Sequence, residues 1–125
     1  MLTDDAIPLI SEKTLMEDVI IEIDRRGLGA TLILKDDGTL SGIITDGDIR
    51  RIIANKRNIY DMTAKQAMTK NPRTAKPDAP AYDALHIMEK YQITILPIIN
   101  SSGKVQGILH LHDILGKGDF KFNGM

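Results

Sequence analysis

The amino-acid sequence predicts a mixed α/β (α+β) fold made of two copies of one helix-strand-strand-helix unit. The first observation behind this is an internal repeat: the chain matches itself without a gap over most of each half when Gly42 is placed on Gly107, an offset of 65 residues. The second is the order of local signals in each copy, where two short apolar runs flank a polar turn and lead into a helix start. One such unit is too small to bury a good core alone, so the copies are expected to pack on each other.

Matching residues at corresponding positions support this register. The identical pairs are Asp18 with Asp83, Gly38 with Gly103, Ile43 with Ile108, Asp48 with Asp113, and Ile49 with Ile114. Apolar positions correspond as well, because Ile20 falls on Leu85 and Leu40 on Val105. The repeat therefore extends over the whole unit and is not confined to one motif.

The first copy opens with a predicted helix. Thr14-Leu15-Met16-Glu17 has the spacing of a capping box, in which the Thr14 hydroxyl and the Glu17 carboxylate cap the first turn. Gly27 and Gly29 end this helix. Its apolar stripe consists of Leu15, Met16, Val19, Ile20 and Ile23.

A hairpin and a second helix complete the first copy. Residues 30–34 and 40–44 are apolar runs on either side of Asp37-Gly38, a strong hairpin signal. The second strand breaks at Thr45, and apolar residues at helical spacing then predict a helix from Ile49 to Ala54. Thr45-x-x-Asp48 also reads as a capping box, so the same residues fit a purely structural role.

The second copy repeats these elements. Pro80 suits the first turn of a helix that carries Ala84, Leu85 and Met88 on one face. Residues 95–99 and 105–109 are the predicted hairpin strands, and Pro97 marks an edge or the entry of its strand because it cannot donate to a ladder. A last helix is predicted from Asp113 to Gly116. Residues 55–76 between the copies read as a linker around a short helix from Thr63 to Met68.

Composition and charge exclude several classes of protein. A net charge of −1 with mixed basic and acidic residues argues against a nucleic-acid surface. The sequence has neither an apolar run long enough to span a bilayer nor a signal-peptide pattern, so no membrane partner is expected. The chain contains no cysteine, which excludes disulfides, thiolate metal sites and cysteine nucleophiles and fits a reducing cytoplasm. A cytoplasmic location is therefore expected.

The repeated element order, with Gly-hydrophobic-x-Thr-x-x-Asp at the end of the second strand, resembles a tandem pair of CBS domains, known as a Bateman module. Met68-Thr69-Lys70-Asn71-Pro72 resembles the Met-Thr-x-x-Pro segment that leads into a CBS repeat, and Leu96-Pro97-Ile98-Ile99 resembles the Leu-Pro-Val-Val strand of that family. The resemblance implies repeats at residues 1–60 and 61–125 that pack as a pseudo-two-fold pair.

A narrower resemblance is to the carboxy-terminal half of D-arabinose-5-phosphate isomerases. It rests on the segment from Thr45 to Arg51, on the segment from His110 to Leu115, and on the start of the chain, which reads Ala6-Ile7-Pro8-Leu9. In that family a sugar-isomerase domain precedes the CBS pair and carries out the aldose–ketose chemistry. The resemblance implies that this chain is an excised regulatory module or a shortened relative, with such a domain in cis in the parent protein.

The candidate ligand contacts of the first repeat follow its strand-to-helix bend. The CBS resemblance implies that Thr45 and Asp48 contact the ribose of a nucleotide whose phosphates face the helix start, and a carboxylate is a suitable acceptor for a vicinal diol. Asp46 lies in the same turn, and Arg50 and Arg51 have the charge that phosphates require. A solvated helix face is the alternative for the paired arginines.

The second repeat departs from this pattern, because His110 replaces the threonine while Asp113 is retained. Three interpretations stay open for His110 and His112: contact with a sugar or anionic ligand, metal binding with Asp113, or the plain end of a surface strand. The sequence identifies no third metal ligand, so no metal site is predicted.

The sequence contains no constellation of acid, base and nucleophile, so the chain by itself is predicted not to be a catalyst and to require no cofactor. The main hypothesis is a regulatory module that senses a nucleotide or nucleotide-sugar. The resemblance implies AMP, ATP or CMP-Kdo as effector and a homodimer formed through the CBS module. The alternative is a ligand-free oligomerisation module, with an apolar face around Ile49, Ile52 and Ile53.

Overall fold

Two β-sheets, each built around one of the predicted hairpins, face each other in the computed structural model, which describes residues 9–27 and 29–111. The first hairpin is extended into a four-stranded sheet and the second forms a two-stranded sheet. A 3₁₀ helix at Ile59–Asp61 lies between the second and third α-helices. The elements are β1 Leu9–Ser11, α1 Met16–Arg26, β2 Ala30–Leu34, β3 Leu40–Thr45, α2 Asp46–Ala54, α3 Ala64–Ala67, β4 Thr69–Lys70, α4 Ala81–Tyr91, β5 Ile95–Ile99 and β6 Val105–His110.

The strand pairings repeat at the offset that the sequence indicated. In the first sheet β2 pairs antiparallel with β3, and in the second β5 pairs antiparallel with β6. Each hairpin also has a register shift at the same place, between Ile33 and Leu34 and between Ile98 and Ile99. Register shifts at equivalent positions of the two hairpins confirm the predicted α+β architecture of two equivalent units.

The parallel pairing on the outer edge of each hairpin is also repeated. Ile10 of β1 lies parallel to Ile33, and Ala75 forms the equivalent parallel bridge to Ile98. The Ala75 N–H donates to the Pro97 carbonyl (3.0 Å), so the proline nitrogen faces the outer edge of the two-stranded sheet. This agrees with the predicted edge position of Pro97, because that side of the strand has no full partner strand in the described chain.

Among the residues that the structure describes, the hydrophobic core has three parts. One cluster lies under α1 and α2, a second lies under α4, and the third joins the two sheets. The joining cluster consists of Ala30, Leu32, Ile43, Ile95 and Ile108. Since Ala30 and Ile95 hold equivalent positions, as do Ile43 and Ile108, the copies bury the same face against each other, as predicted.

The predicted start of α1 is wrong. Leu15, not Thr14, is the N-cap residue, and no side chain caps this helix. The Met16 N–H donates to the Met62 carbonyl (2.9 Å), while the Thr14 carbonyl accepts from the Ala64 N–H (2.7 Å). Backbone groups of the linker thus replace the predicted capping box. Leu15 is 51% exposed and leaves the apolar stripe, whereas Met16, Val19 and Ile23 are buried.

The other helices agree more closely with the sequence. Gly27 ends α1 in the left-handed conformation (φ 70°), and α2 begins at the predicted Thr45 bend. The predicted linker helix is α3, with a capping box from Thr63 to Gln66. Pro80 is the N-cap residue of α4. The predicted helix from Asp113 to Gly116 lies outside the described residues.

The sequence analysis did not predict β1, β4 or the 3₁₀ helix. These short elements bring residues 59–70 against the first repeat, where Ile59, Met62, Ala64 and Ala67 join its core. In the described part of the chain, every helix is too short or too polar to cross a membrane.

Candidate ligand-binding cleft

An open cleft of about 800 Å³ lies between the two repeats. The first repeat lines it with Gly29, Ala30 and residues at the end of β3 and the start of α2. The second repeat contributes residues from the end of α4 through β5, and the segment from Thr69 to Arg73 closes the cleft between them. Both repeats therefore contact anything that fills the cleft.

The strand-to-helix bend of the first repeat is fixed by the predicted capping box. Thr45 has an extended backbone (φ −116°, ψ 166°), and its Oγ1 accepts from the Asp48 N–H at 3.2 Å. Asp48 Oδ2 in turn accepts from the Thr45 N–H at 2.9 Å. Reciprocal bonds of this kind satisfy helix-terminal N–H groups, so the predicted structural role of both residues is confirmed.

The carboxylate of Asp48 has further partners. Its Oδ2 also accepts from Thr45 Oγ1 (3.1 Å), while Oδ1 accepts from Arg51 Nη1 (2.9 Å) and from Thr69 Oγ1 (3.0 Å). Asp48 is only 5% exposed. Each carboxylate oxygen therefore has two donors, and a ligand hydroxyl can reach Asp48 only by replacing one of them.

Asp46 has a different environment, although it lies two residues before Asp48. Its N–H donates to the Gly29 carbonyl at 3.0 Å, and its exposed carboxylate has no hydrogen-bond partner within residues 9–27 and 29–111. A methyl group added at Gly29 would lie 3.3 Å from Asp46 Oδ2, so the glycine leaves room beside this carboxylate. Asp46 can accept from a ligand without giving up an existing bond.

Three arginines line the cleft on two sides. Arg50 and Arg51 belong to α2, whereas Arg73 lies in the linker and stacks over the Tyr91 ring, with its guanidinium carbon 3.9 Å from the ring centroid. Together with the carboxylates of Asp46 and Asp48, the described lining has a net charge of +1. The side chain of Arg51 is 68% exposed, so it can move away from Asp48 at little cost.

The structure brings most of the predicted site residues together. Thr45, Asp46, Asp48, Arg50 and Arg51 all line this cleft. His110 ends β6 opposite Ile95, is half-buried, and is not among the described residues that line the cleft. His112 and Asp113 lie outside the described residues. The proposed ligand and metal roles of the second motif therefore stay predictions.

Sequence reasoning missed the half of the cleft that comes from the linker and the second repeat. Asn71, Arg73, Tyr91 and Thr94 were not predicted as lining residues. The sequence did contain a signal for two of these residues, because Asn71 lies in the Met-Thr-x-x-Pro segment and Arg73 follows that segment directly. Thr94 corresponds to Gly29 at the repeat offset, so the two residues enter the cleft from equivalent positions.

Comparison with known proteins agrees with this architecture. The family model of the CBS domain matches residues 2–55 and 64–118. The chain belongs to the CBS domain family. Among solved CBS proteins, CBSX2 in complex with AMP superposes with a TM-score of 0.80 at 18% identity, covering 94% of this chain and 90% of that one. The CBS domain pair of MJ0100, in complex with 5′-methylthioadenosine and S-adenosyl-L-methionine, has a TM-score of 0.78 at 29% identity, covering 98% and 92%.

Relatives of this CBS pair include longer proteins. The arabinose 5-phosphate isomerase KdsD of Pseudomonas aeruginosa is 33% identical over 91% of this chain and 35% of its own length. An uncharacterized protein of Rickettsia prowazekii is 40% identical over 94% of this chain and 36% of its own length. The chain therefore spans about a third of the length of these relatives. The resemblance of this CBS pair to a part of KdsD-like proteins is confirmed at the level of sequence.

Proposed function

We propose that this CBS pair is a regulatory module that binds a nucleotide or nucleotide-sugar in the cleft between its repeats and controls an attached arabinose-5-phosphate isomerase domain. The observation that carries the proposal is the cleft itself, which both repeats line with an excess of positive charge. A ligand that contacts both repeats stabilises one relative arrangement of them, which is how binding changes the activity of a neighbouring domain.

The charge of the cleft supports a phosphorylated ligand. Arg50 lines it from α2 and Arg73 from the linker, and α2 begins at its wall, where the helix dipole favours anions. Neutral nucleosides and cationic sulfonium compounds lack the negative charge that these groups favour. AMP, ATP and CMP-Kdo all have the required negative charge, so the proposal includes each of them.

The rest of the lining supports a sugar and a base. Thr45, Asp46 and Thr94 offer hydroxyl and carboxylate groups for sugar hydroxyls. Ile43, Ile93, Ile95 and Pro97 form an apolar wall suited to a flat base. Solved CBS pairs with AMP or with 5′-methylthioadenosine and S-adenosyl-L-methionine support an adenine compound.

Isothermal titration calorimetry tests the proposal. The chain is titrated with AMP, ATP, CMP-Kdo and adenosine, and the phosphorylated compounds are expected to bind at least about tenfold more tightly than adenosine, since charge-assisted bonds to Arg are strong. Arg73→Gln is expected to weaken AMP but not adenosine. The control is Arg57→Gln, an exposed arginine away from the cleft. Absence of binding by all three phosphorylated compounds would contradict the proposal.

The alternative is an oligomerisation module, and specific exposed side chains favour it. Ile53 at the end of α2 is 57% exposed, and Tyr60 in the following 3₁₀ helix is also exposed. The predicted apolar face is smaller than expected, however, because Ile52 is buried and Ile49 is half-buried. Sedimentation of the wild type and of Ile53→Lys tests a homodimer formed through this region. A dimer that the substitution dissociates, with no ligand bound in calorimetry, would favour this alternative.

A further inference from the structure

Thr69 belongs to the linker between the repeats, yet its side chain contacts the ligand cleft of the first repeat. It is the first residue of β4, which pairs with β3 through Ile43. Its Oγ1 donates to Asp48 Oδ1 at 3.0 Å. The contact joins residues 21 positions apart and brings the linker to the buried carboxylate of Asp48 in the cleft wall.

The two oxygens of Asp48 have different roles. Oδ2 accepts from the backbone N–H and the hydroxyl of Thr45, so replacing its donors would open the capping box of α2. The donors to Oδ1 are the side chains of Arg51 and Thr69, and both residues line the cleft. Oδ1 is therefore the oxygen that a ligand can reach without disturbing the helix start.

We infer that Thr69 is an affinity-setting latch, whose hydroxyl competes with a sugar hydroxyl of the ligand for Asp48 Oδ1. This inference rests on the proposed function. Binding then exchanges one hydrogen bond to Asp48 for another, and the Thr69 bond reduces the net gain. The cleft thereby binds diol ligands more weakly than its charge and shape allow.

Arg51, the other donor to Oδ1, does not have the same effect. Its side chain is 68% exposed and long, so water can solvate the guanidinium when it moves away. Thr69 is also exposed, but its side chain is short and β-branched. The backbone of β4 lies close against β3, because a methyl group at Gly42 would lie 2.6 Å from the Thr69 carbonyl oxygen, so the hydroxyl leaves Asp48 by rotating about χ1.

The test compares wild type with Thr69→Val, which keeps the shape of the side chain and removes the donor. Each protein is titrated with AMP and with 2′,3′-dideoxy-AMP, which lacks the ribose hydroxyls. Thr69→Val is expected to bind AMP about two- to tenfold more tightly, the range that one net hydrogen bond corresponds to. Its affinity for the dideoxy compound should stay within about twofold of wild type, because that ligand does not need Oδ1.

Control variants separate the hydroxyl from the structural effect of the substitution. Thr69→Ser keeps the donor and should behave like wild type, and Thr69→Ala repeats the removal if the valine variant does not fold. Thr74→Val makes the same chemical change on the linker five residues later, at a residue that does not line this cleft, and should leave both affinities unchanged.

The outcomes distinguish the inference from the proposed function. Equal or weaker AMP binding by Thr69→Val, with binding by wild type intact, overturns the latch and leaves the nucleotide site standing. Tighter binding of both AMP and the dideoxy compound overturns it as well, because the hydroxyl exchange is then not the cause. Binding of AMP only by Thr69→Val supports a latch that holds the wild-type cleft closed to this ligand. No binding by either protein overturns the latch together with an AMP site.

Discussion

Thr39 and Lys104 form an antiparallel β-bridge at the tips of the two hairpins, and they occupy the same position in the two repeats. The Leu40 N–H donates to the Gly103 carbonyl at 3.1 Å beside this bridge. Equivalent residues can meet face to face only where a two-fold axis passes between them. The bridge therefore marks the pseudo-two-fold axis, and the shared core between the sheets lies behind it.

Shortening a side chain in this shared core should destabilise both repeats together. Ile108 is 1% exposed and packs with Ile43 and Ile95, so Ile108→Ala is expected to lower the free energy of unfolding by about 2–5 kcal/mol. Urea unfolding measures the change. The matched control is Ile53→Ala, which removes the same atoms from an exposed position and should change stability by less than about 0.5 kcal/mol. A similar loss for both variants would contradict this account of the core.

A side chain at Gly42 should loosen the linker from the first sheet. A methyl group there would lie 2.6 Å from both Met68 Sδ and the Thr69 carbonyl oxygen, closer than atoms pack. Gly42→Ala is therefore expected to cost about 1–3 kcal/mol in unfolding free energy, because β4 must shift. Gly47→Ala is the control, since its added methyl would meet nothing closer than 3.5 Å. Faster amide exchange at Lys70 in Gly42→Ala would locate the effect in β4.

Removing the charge of Asp48 should weaken the start of α2. The carboxylate accepts from Thr45, Arg51 and Thr69, and Asn can replace only part of these bonds. Asp48→Asn is expected to lower the unfolding free energy by about 1–3 kcal/mol. Asp46→Asn, in the same turn but with an exposed carboxylate, should cost less than about 1 kcal/mol, mainly from the helix dipole. Thermal unfolding of the two variants compares them directly, and equal losses would be inconsistent with the observed network.

One exposed ion pair should give a small pH-dependent contribution. A hydrogen bond from the Arg26 guanidinium (2.8 Å) lowers the pKa of Glu22, with smaller contributions from the charges of Arg25 and Arg26. Because the folded-state pKa is the lower one, this stabilisation is present above the unfolded pKa of about 4.3 and is lost as the pH falls through the folded pKa. Glu22→Gln should therefore cost about 0.3–0.5 kcal/mol at neutral pH and nothing in strong acid.

Urea unfolding of Glu22→Gln and wild type between pH 7 and about pH 2 checks this sign, because the pH range spans the titration of an ordinary carboxyl. Glu89→Gln makes the same substitution at an exposed position on α4 and is the matched control. A difference for Glu22→Gln that grows as the pH falls would be the opposite of the expected behaviour.

Local signals in the sequence predicted the hairpins and the α2 start because short-range chemistry determines them. The Asp37-Gly38 turn and the Thr45 capping box need only residues within three or four positions. The Thr14 capping box has the same local pattern, yet it does not form. Carbonyl and N–H groups of Met62 and Ala64 bind that helix start instead, and no pattern around Thr14 indicates a partner so far along the chain.

The cleft was predictable only on one side for a similar reason. The motif around Thr45 named the residues of the first repeat, whereas Arg73 and Tyr91 become neighbours only after the linker has folded back on β3. The occupation of Asp48 by Thr69 also depends on that long-range pairing. The sequence indicated that the Asp48 carboxylate belongs to the site. It could not indicate that Thr69 of the linker donates a hydrogen bond to this carboxylate.

The placement of residues 59–70 has a consequence for how the polypeptide can be divided. This stretch precedes α4 and the second hairpin in the chain, but its apolar side chains complete the interior of the first repeat. Cleaving the backbone at the solvent-exposed Lys56, upstream of the stretch, would give an amino-terminal fragment that lacks part of its hydrophobic core. The carboxy-terminal fragment would contain the missing apolar side chains. Mixed together, such fragments should reassemble by complementation, whereas the amino-terminal fragment alone should aggregate.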